Sequence, residues 1–168
     1  MIRPLLFFLL IGLASFSHAQ SPAAKHQVFL IGDAGEPSLA KDNLSALSSQ
    51  LQSAGKNATL IFLGDNIYPK GLPPIEHPNR KEAEEKLKIQ FEITKDFKGK
   101  TIVIPGNHDW AKGSKEGWNH ILEQEKFVKD YFDSKKVFYP KHAEPGPEEI
   151  KLADGLYLIF FDMQWMLQ

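Results

Sequence analysis

Cysteine is absent from all 168 residues. That excludes a disulfide scaffold, and it excludes a lipid-modified cysteine near the N-terminus. Core packing, with any help from bound metal, has to hold the chain together. Arginine is almost as scarce, since Arg3 and Arg80 are the only two and neither sits in a basic cluster. With a formal net charge of −1 there is no basic field to recruit nucleic acid as the main partner. Internal repeats and low-complexity tracts are missing too. The longest apolar stretch, Ile2 to Phe16, holds about 15 residues, includes Arg3 and Pro4, and falls short of the roughly 20 that span a bilayer. What remains is an ordinary globular composition, 42% hydrophobic and 24% charged, of a length that suits one domain.

The N-terminus reads as an export signal rather than an uncleaved anchor. Arg3 supplies a short positive start, Leu5 to Leu13 an apolar run, and Ser17-His18-Ala19 small residues at the −3 and −1 positions. Cleavage before Gln20 is expected, which removes residues 1–19 and leaves a lead-in over 20–27. The product is expected in the periplasm or outside the cell, with no stable membrane anchor after cleavage. Losing Arg3 makes the mature charge 19 − 21 = −2.

Four apolar runs read as buried strands: Val28–Ile31, Leu60–Leu63, Thr101–Ile104 and Leu156–Phe161. Between them lie helical spacings. Ala40, Leu44, Leu47, Leu51 and Ala54 recur at steps of four and three, with Gly55 placed as a C-cap. Trp118, Ile121, Leu122, Glu125, Val128 and Phe132 repeat the pattern. Over Arg80–Phe97 a period-two reading competes with a helical one. The strong helix formers from Lys81 to Lys88 and the position between two strands decide for helix. Val137–Tyr139 reads as a short strand, and Glu144-Pro145-Gly146-Pro147 as a loop. Strands alternating with helices give an α/β fold with largely parallel neighbours, and residues 28–168 form its domain.

Every strong polar motif follows a strand directly. Val28–Ile31 runs into Gly32-Asp33-Ala34-Gly35, Leu60–Leu63 into Gly64-Asp65-Asn66-Ile67-Tyr68, and Thr101–Ile104 into Pro105-Gly106-Asn107-His108-Asp109. Loops beyond the carboxyl ends of strands converge on the ligand crevice of α/β sheets. A glycine before each Asp or Asn lets the backbone turn and present the side chain at the strand tip. Singly, each motif is a turn, a hydrogen-bonded loop histidine or a packing tyrosine. Together they gather two carboxylates, an amide oxygen, a phenol and an imidazole, the donor chemistry of hard cations. One carboxylate can bridge two such metals for displacement at phosphorus. Asp109 either orients His108, is solvated or holds the turn. His26, His77, His120 and His142 lie in no ligand spacing, and Trp110, Trp118 and Trp165 read as packing.

These three blocks resemble the first three signature blocks of calcineurin-like metallophosphoesterases of the purple acid phosphatase type. The resemblance runs from about Val28 to Trp165, through Pro145-Gly146-Pro147-Glu148 and Asp162-Met163-Gln164-Trp165. Many relatives of other types carry a His where this chain has Gly35, and the tyrosine-bearing second block is the form that accompanies that glycine. The resemblance implies a helix-sheet-sheet-helix sandwich and metal-dependent hydrolysis of a small phosphate ester at a dinuclear centre. It implies Asp33 and Tyr68 on a first metal, Asp65 bridging and Asn107 on a second. His108 would stabilise phosphoryl charge or protonate the leaving oxygen. The first metal would be iron, purple through tyrosinate charge transfer, and the second iron, zinc or manganese.

The resemblance also calls for two later blocks with three metal-binding histidines, and neither follows before Gln168. The expectation is therefore the N-terminal half of the sandwich, with apolar strand side chains left facing water and weak or no activity. Diester or nucleotide hydrolysis within the same superfamily is the alternative substrate reading.

Overall fold

The computed structural model describes residues 25–167. The expected export segment, residues 1–19, lies outside them. Five strands and four α-helices follow in the order β1 (Gln27–Ile31), α1 (Pro37–Ser53), β2 (Ala58–Phe62), α2 (Arg80–Phe91), β3 (Lys100–Val103), α3 (Gly117–Tyr131), β4 (Glu148–Ala153), β5 (Leu156–Phe160) and α4 (Met163–Met166). The contested segment is a helix, extended by a 3₁₀ turn over Glu92–Thr94. Its Ala83, Leu87 and Phe91 form one buried stripe at steps of four, whereas Ile89, which a strand would put on the same face, is 46% exposed.

β1, β2 and β3 pair in parallel in that order, aligning Leu30 with Ile61 and Ile61 with Ile102. All five residues of β2 are buried, as the central strand of a covered sheet requires. Its side chains divide between two cores. Leu60 and Phe62, with Val103, pack against Leu51 of α1, Leu87 and Phe91 of α2, and Ile121 and Val128 of α3. Ile61 and Ile102 pack on the opposite face against Tyr139 and Phe160, with Ile150 and Leu158 beside them. That second face is covered by an antiparallel hairpin of β4 and β5, giving helices, parallel sheet and hairpin in layers.

Several expectations need correction. Double-sided burial holds for β2 and for the end of β3, where buried Ile102 and Val103 face opposite cores. In β1, Phe29 and Ile31 join the helix-side core, but Val28 and Leu30 are 39% and 58% exposed. Leu63, Ile159 and Phe161 are exposed as well. Gly55 is no left-handed cap, because Ala54 leaves α1 in extended conformation with its N–H on the Leu51 carbonyl. Val137–Tyr139 forms only a bridge, Val103 to Phe138. β4 is an additional strand, paired antiparallel with β5, beside a sheet that is parallel as expected. Among the described residues no helix is long and apolar enough to cross a membrane.

Candidate metal centre

The three parallel strands end at Ile31, Phe62 and Val103, so their following loops emerge at one edge of the sheet. Backbone bonds join the first two loops, from Leu63 N–H to the Ile31 carbonyl at 2.7 Å and from Asp33 N–H to the Gly64 carbonyl at 3.2 Å. Tyr68 N–H adds a third, to the Gly35 carbonyl at 3.1 Å. The approach is close enough to need glycine. A Cβ on Gly35 would lie 2.5 Å from the Asp65 carbonyl oxygen, and one on Gly106 would lie 2.3 Å from the Asp65 amide nitrogen. Of the glycines expected to turn the chain, Gly64 does so with φ of 97°, while Gly106 acts through its absent side chain. The left-handed backbone extends to the carboxylates themselves, with φ of 57° at Asp33 and 52° at Asp65. Such a conformation is uncommon outside glycine and costs on the order of 1 kcal/mol each, strain that clusters at working sites.

That strain places both carboxylates on one phenol. The Tyr68 hydroxyl lies 2.8 Å from Asp33 Oδ1 and 3.1 Å from Asp65 Oδ2. Burial and these two acids hold the phenol well above its ordinary range, so it keeps its proton. One hydroxyl proton serves one acceptor at a time. The other oxygen–oxygen approach therefore has no proton between its atoms, and a cation is what relieves such a convergence. The donor set, two carboxylates and a phenol, fits a hard metal ion.

The third loop attaches through His108. Its backbone N–H donates to Asp65 Oδ1 at 3.0 Å, its Nδ1 meets the Pro69 carbonyl at 2.8 Å, and its ring stands edge-on to Tyr68 at 4.4 Å. Asn107 is exposed, and among the described residues its side chain hydrogen-bonds to none of the other three candidate ligands. Asp33, Asp65, Tyr68 and His108 are thus brought into mutual contact, while Asn107 shares only their loop cluster. Among the described residues no three His, Cys, Asp or Glu side chains gather for a metal. The phenol is what takes this cluster beyond two carboxylates.

Of the three roles open to Asp109, orienting His108, standing solvated or holding the turn, it takes the last. Fully buried, it accepts from Gly106 N–H at 2.8 Å, from Asn66 N–H and Nδ2 at 3.1 Å, and from Ile67 N–H at 3.1 Å. Burial pushes its carboxyl up to about 7, against the N–H donors that favour the charged form. It latches the third loop to the second and bonds nothing on His108.

Two residues absent from the motif reading complete the scaffold. Lys86 Nζ reaches the Tyr68 carbonyl at 3.0 Å and Glu36 Oε2 at 2.9 Å. One turn on, Gln90 Nε2 donates to the Asn66 carbonyl at 2.8 Å. The available signal was polar residues beside the apolar stripe of α2, where a buried amide or ammonium needs a partner. Trp110 is wholly buried, and its Nε1–H donates to Asp162 at 2.7 Å. Trp118 and Trp165 stay partly exposed.

With this geometry the chain matches the family model described as calcineurin-like phosphoesterase, over residues 26–162. The chain belongs to that family. No curated protein and no solved structure matches it. Calcineurin-like phosphoesterases are in general metal-dependent hydrolases of phosphoesters that bind two metal ions. In this calcineurin-like phosphoesterase the matched span contains all three strand-tip loops.

Proposed function

We propose that this chain serves hydrolysis of small phosphate esters in the manner of purple acid phosphatases, as an exported protein with two metal ions. Asp33, Asp65 and Tyr68 hold the first, taken as iron. Asp65 and Asn107 supply donors to the second, iron, zinc or manganese. The observation behind this reading is the Tyr68 hydroxyl within hydrogen-bonding reach of both carboxylates. When bound, the metals supply positive charge that polarises the phosphoryl oxygens.

The chain's own residues position and protonate. Strained loops fix Asp33 and Asp65 in advance, so little reorganisation accompanies binding. His108 commits Nδ1 to the Pro69 carbonyl, an acceptor, so that nitrogen carries a proton. Nε2 is then the nitrogen free to exchange a proton with the leaving oxygen. In the overall step water oxygen bonds to phosphorus and keeps one proton, and the ester P–O bond breaks. The departing alkoxide takes the proton carried by Nε2, and the proton released from the attacking water restores Nε2 by way of solvent.

A second reading rests on the same geometry, since only Asp65 and Asn107 stand for the second ion. It is a chain that binds one metal and hydrolyses nothing. Ferric loading followed by visible spectroscopy, beside turnover of a chromogenic phosphate ester, separates the two. A charge-transfer band lost in Tyr68→Phe and turnover lost in Asp65→Ala are expected. A band without turnover favours the one-metal reading, and no band overturns the assigned ligands.

A further inference from the structure

The loop leaving Tyr68 and the first turns of α2 and α3 enclose a cavity of about 380 Å³, the size of a small-molecule site. It adjoins the metal cluster through Tyr68 and Pro69, which are part of its wall. Pro69 is also the residue whose carbonyl holds His108. Ile67, Pro73, Pro74 and Ala83 make much of the lining apolar.

Two imidazoles give the cavity its polarity. His120 is only 7% exposed, and its Nδ1 lies 2.5 Å from the Lys70 carbonyl. A carbonyl only accepts, so Nδ1 carries the proton and Nε2 is a bare acceptor. Among the described residues no group bonds that Nε2. His77 has the opposite arrangement. Its Nδ1 accepts the Asn79 N–H at 3.1 Å, which leaves its Nε2–H as a donor. The charged groups of the wall offset one another, Lys86 with Glu82 at 3.4 Å and Lys70 with Glu116 by sign. The lining thus presents apolar proline faces, an imidazole donor and an imidazole acceptor beside the Asn79 and Asn119 amides, and no surplus charge.

We infer that this cavity receives the leaving group of the phosphate ester, a neutral planar ring with a donor and an acceptor on one edge, as a nucleobase has. The assignment rests on the phosphoester-hydrolase reading of the adjoining cluster, while ligand binding in the cavity does not. The proline walls suit the faces of a flat ring, and the two imidazoles suit its polar edge. Loss of one imidazole hydrogen bond to a bound ring corresponds to about a tenfold weakening.

The test pairs binding with turnover in the whole chain. Calorimetric titration with adenosine needs neither metal nor catalysis. Adenosine is expected to bind, and His120→Phe to weaken it about tenfold. Asn119→Phe, at an exposed position on the cavity wall, should block it without touching the core. In metal-loaded protein the ratio of kcat/KM for adenosine monophosphate to that for glycerol phosphate should fall about tenfold in Asn119→Phe. No adenosine binding, or binding indifferent to both variants, overturns the cavity assignment even if both esters are hydrolysed. Binding that both variants weaken, with neither ester hydrolysed, supports the ligand site and overturns its leaving-group role together with the hydrolase reading.

Discussion

Gly35 and Tyr68 meet backbone to backbone, with the Tyr68 N–H on the Gly35 carbonyl at 3.1 Å and space for a Cβ at Gly35 closed by that same nitrogen, 2.8 Å away. The residue at 35 therefore sets how closely the Asp33 loop approaches the loop that presents the phenol. Gly35→Ala is expected to push those loops apart and cost about 1–3 kcal/mol, as overpacking does. Urea denaturation should show the loss, and ferric titration a weaker charge-transfer band. An unchanged midpoint and band would refute the steric coupling.

Asp109 offers a second prediction, on stability rather than chemistry. Removing its carboxylate in Asp109→Ala strands the buried amides of Gly106, Asn66 and Ile67. Each unsatisfied buried donor costs about 1–3 kcal/mol, so loss of at least 3 kcal/mol is expected in the metal-free protein. A fall that appears only with metal bound would instead make Asp109 part of the metal site.

The strand-tip logic carried most of the site from sequence to structure. Val28–Ile31, Leu60–Leu63 and Thr101–Ile104 were readable because apolar runs bounded by Gly-Asp or Gly-Asn have few other solutions. β4 escaped because Glu148, Glu149 and Lys151 outnumber its two large apolar residues, Ile150 and Leu152. Yet its alternation of exposed Glu149 and Lys151 with half-buried Ile150 and Leu152 is a strand's period. The role of Asp109 was not legible either, because its donors lie mostly in another loop, some 40 residues away in sequence. Burial of a loop carboxylate follows from tertiary packing, which periodicity does not report.

The clamp from α2 gives a third prediction. Lys86 and Gln90 hold the carbonyls of Tyr68 and Asn66, on either side of the turn that aims the phenol. Gln90→Leu should loosen that turn and cost about 1–3 kcal/mol, because it leaves a buried carbonyl unpaired. Lys86→Met should act in the same direction and also free Glu36. In both variants iron affinity is expected to fall more than tenfold while the far-ultraviolet circular dichroism stays native. Wild-type affinity in both would show that the loop holds its shape without the helix.

The pH dependence of folding should carry the mark of His120. Burial holds its imidazole below the ordinary histidine range, opposed by the Lys70 carbonyl and by Glu116, with His77 and Lys70 acting in the same sense as burial. The unfolded chain then binds the proton more readily than the folded one. Stability is complete above about 6.5, the unperturbed value, and is lost as pH falls through the folded pKa. Asp109, raised to about 7, gains stability over the same window as pH falls, so the mark of His120 is a difference. From pH 7.5 to 5 the denaturation midpoint of His120→Gln, which retains a donor for Lys70 but does not titrate, should rise relative to that of the wild type. Equal slopes would mean that the cavity already admits enough water to keep His120 at its ordinary value.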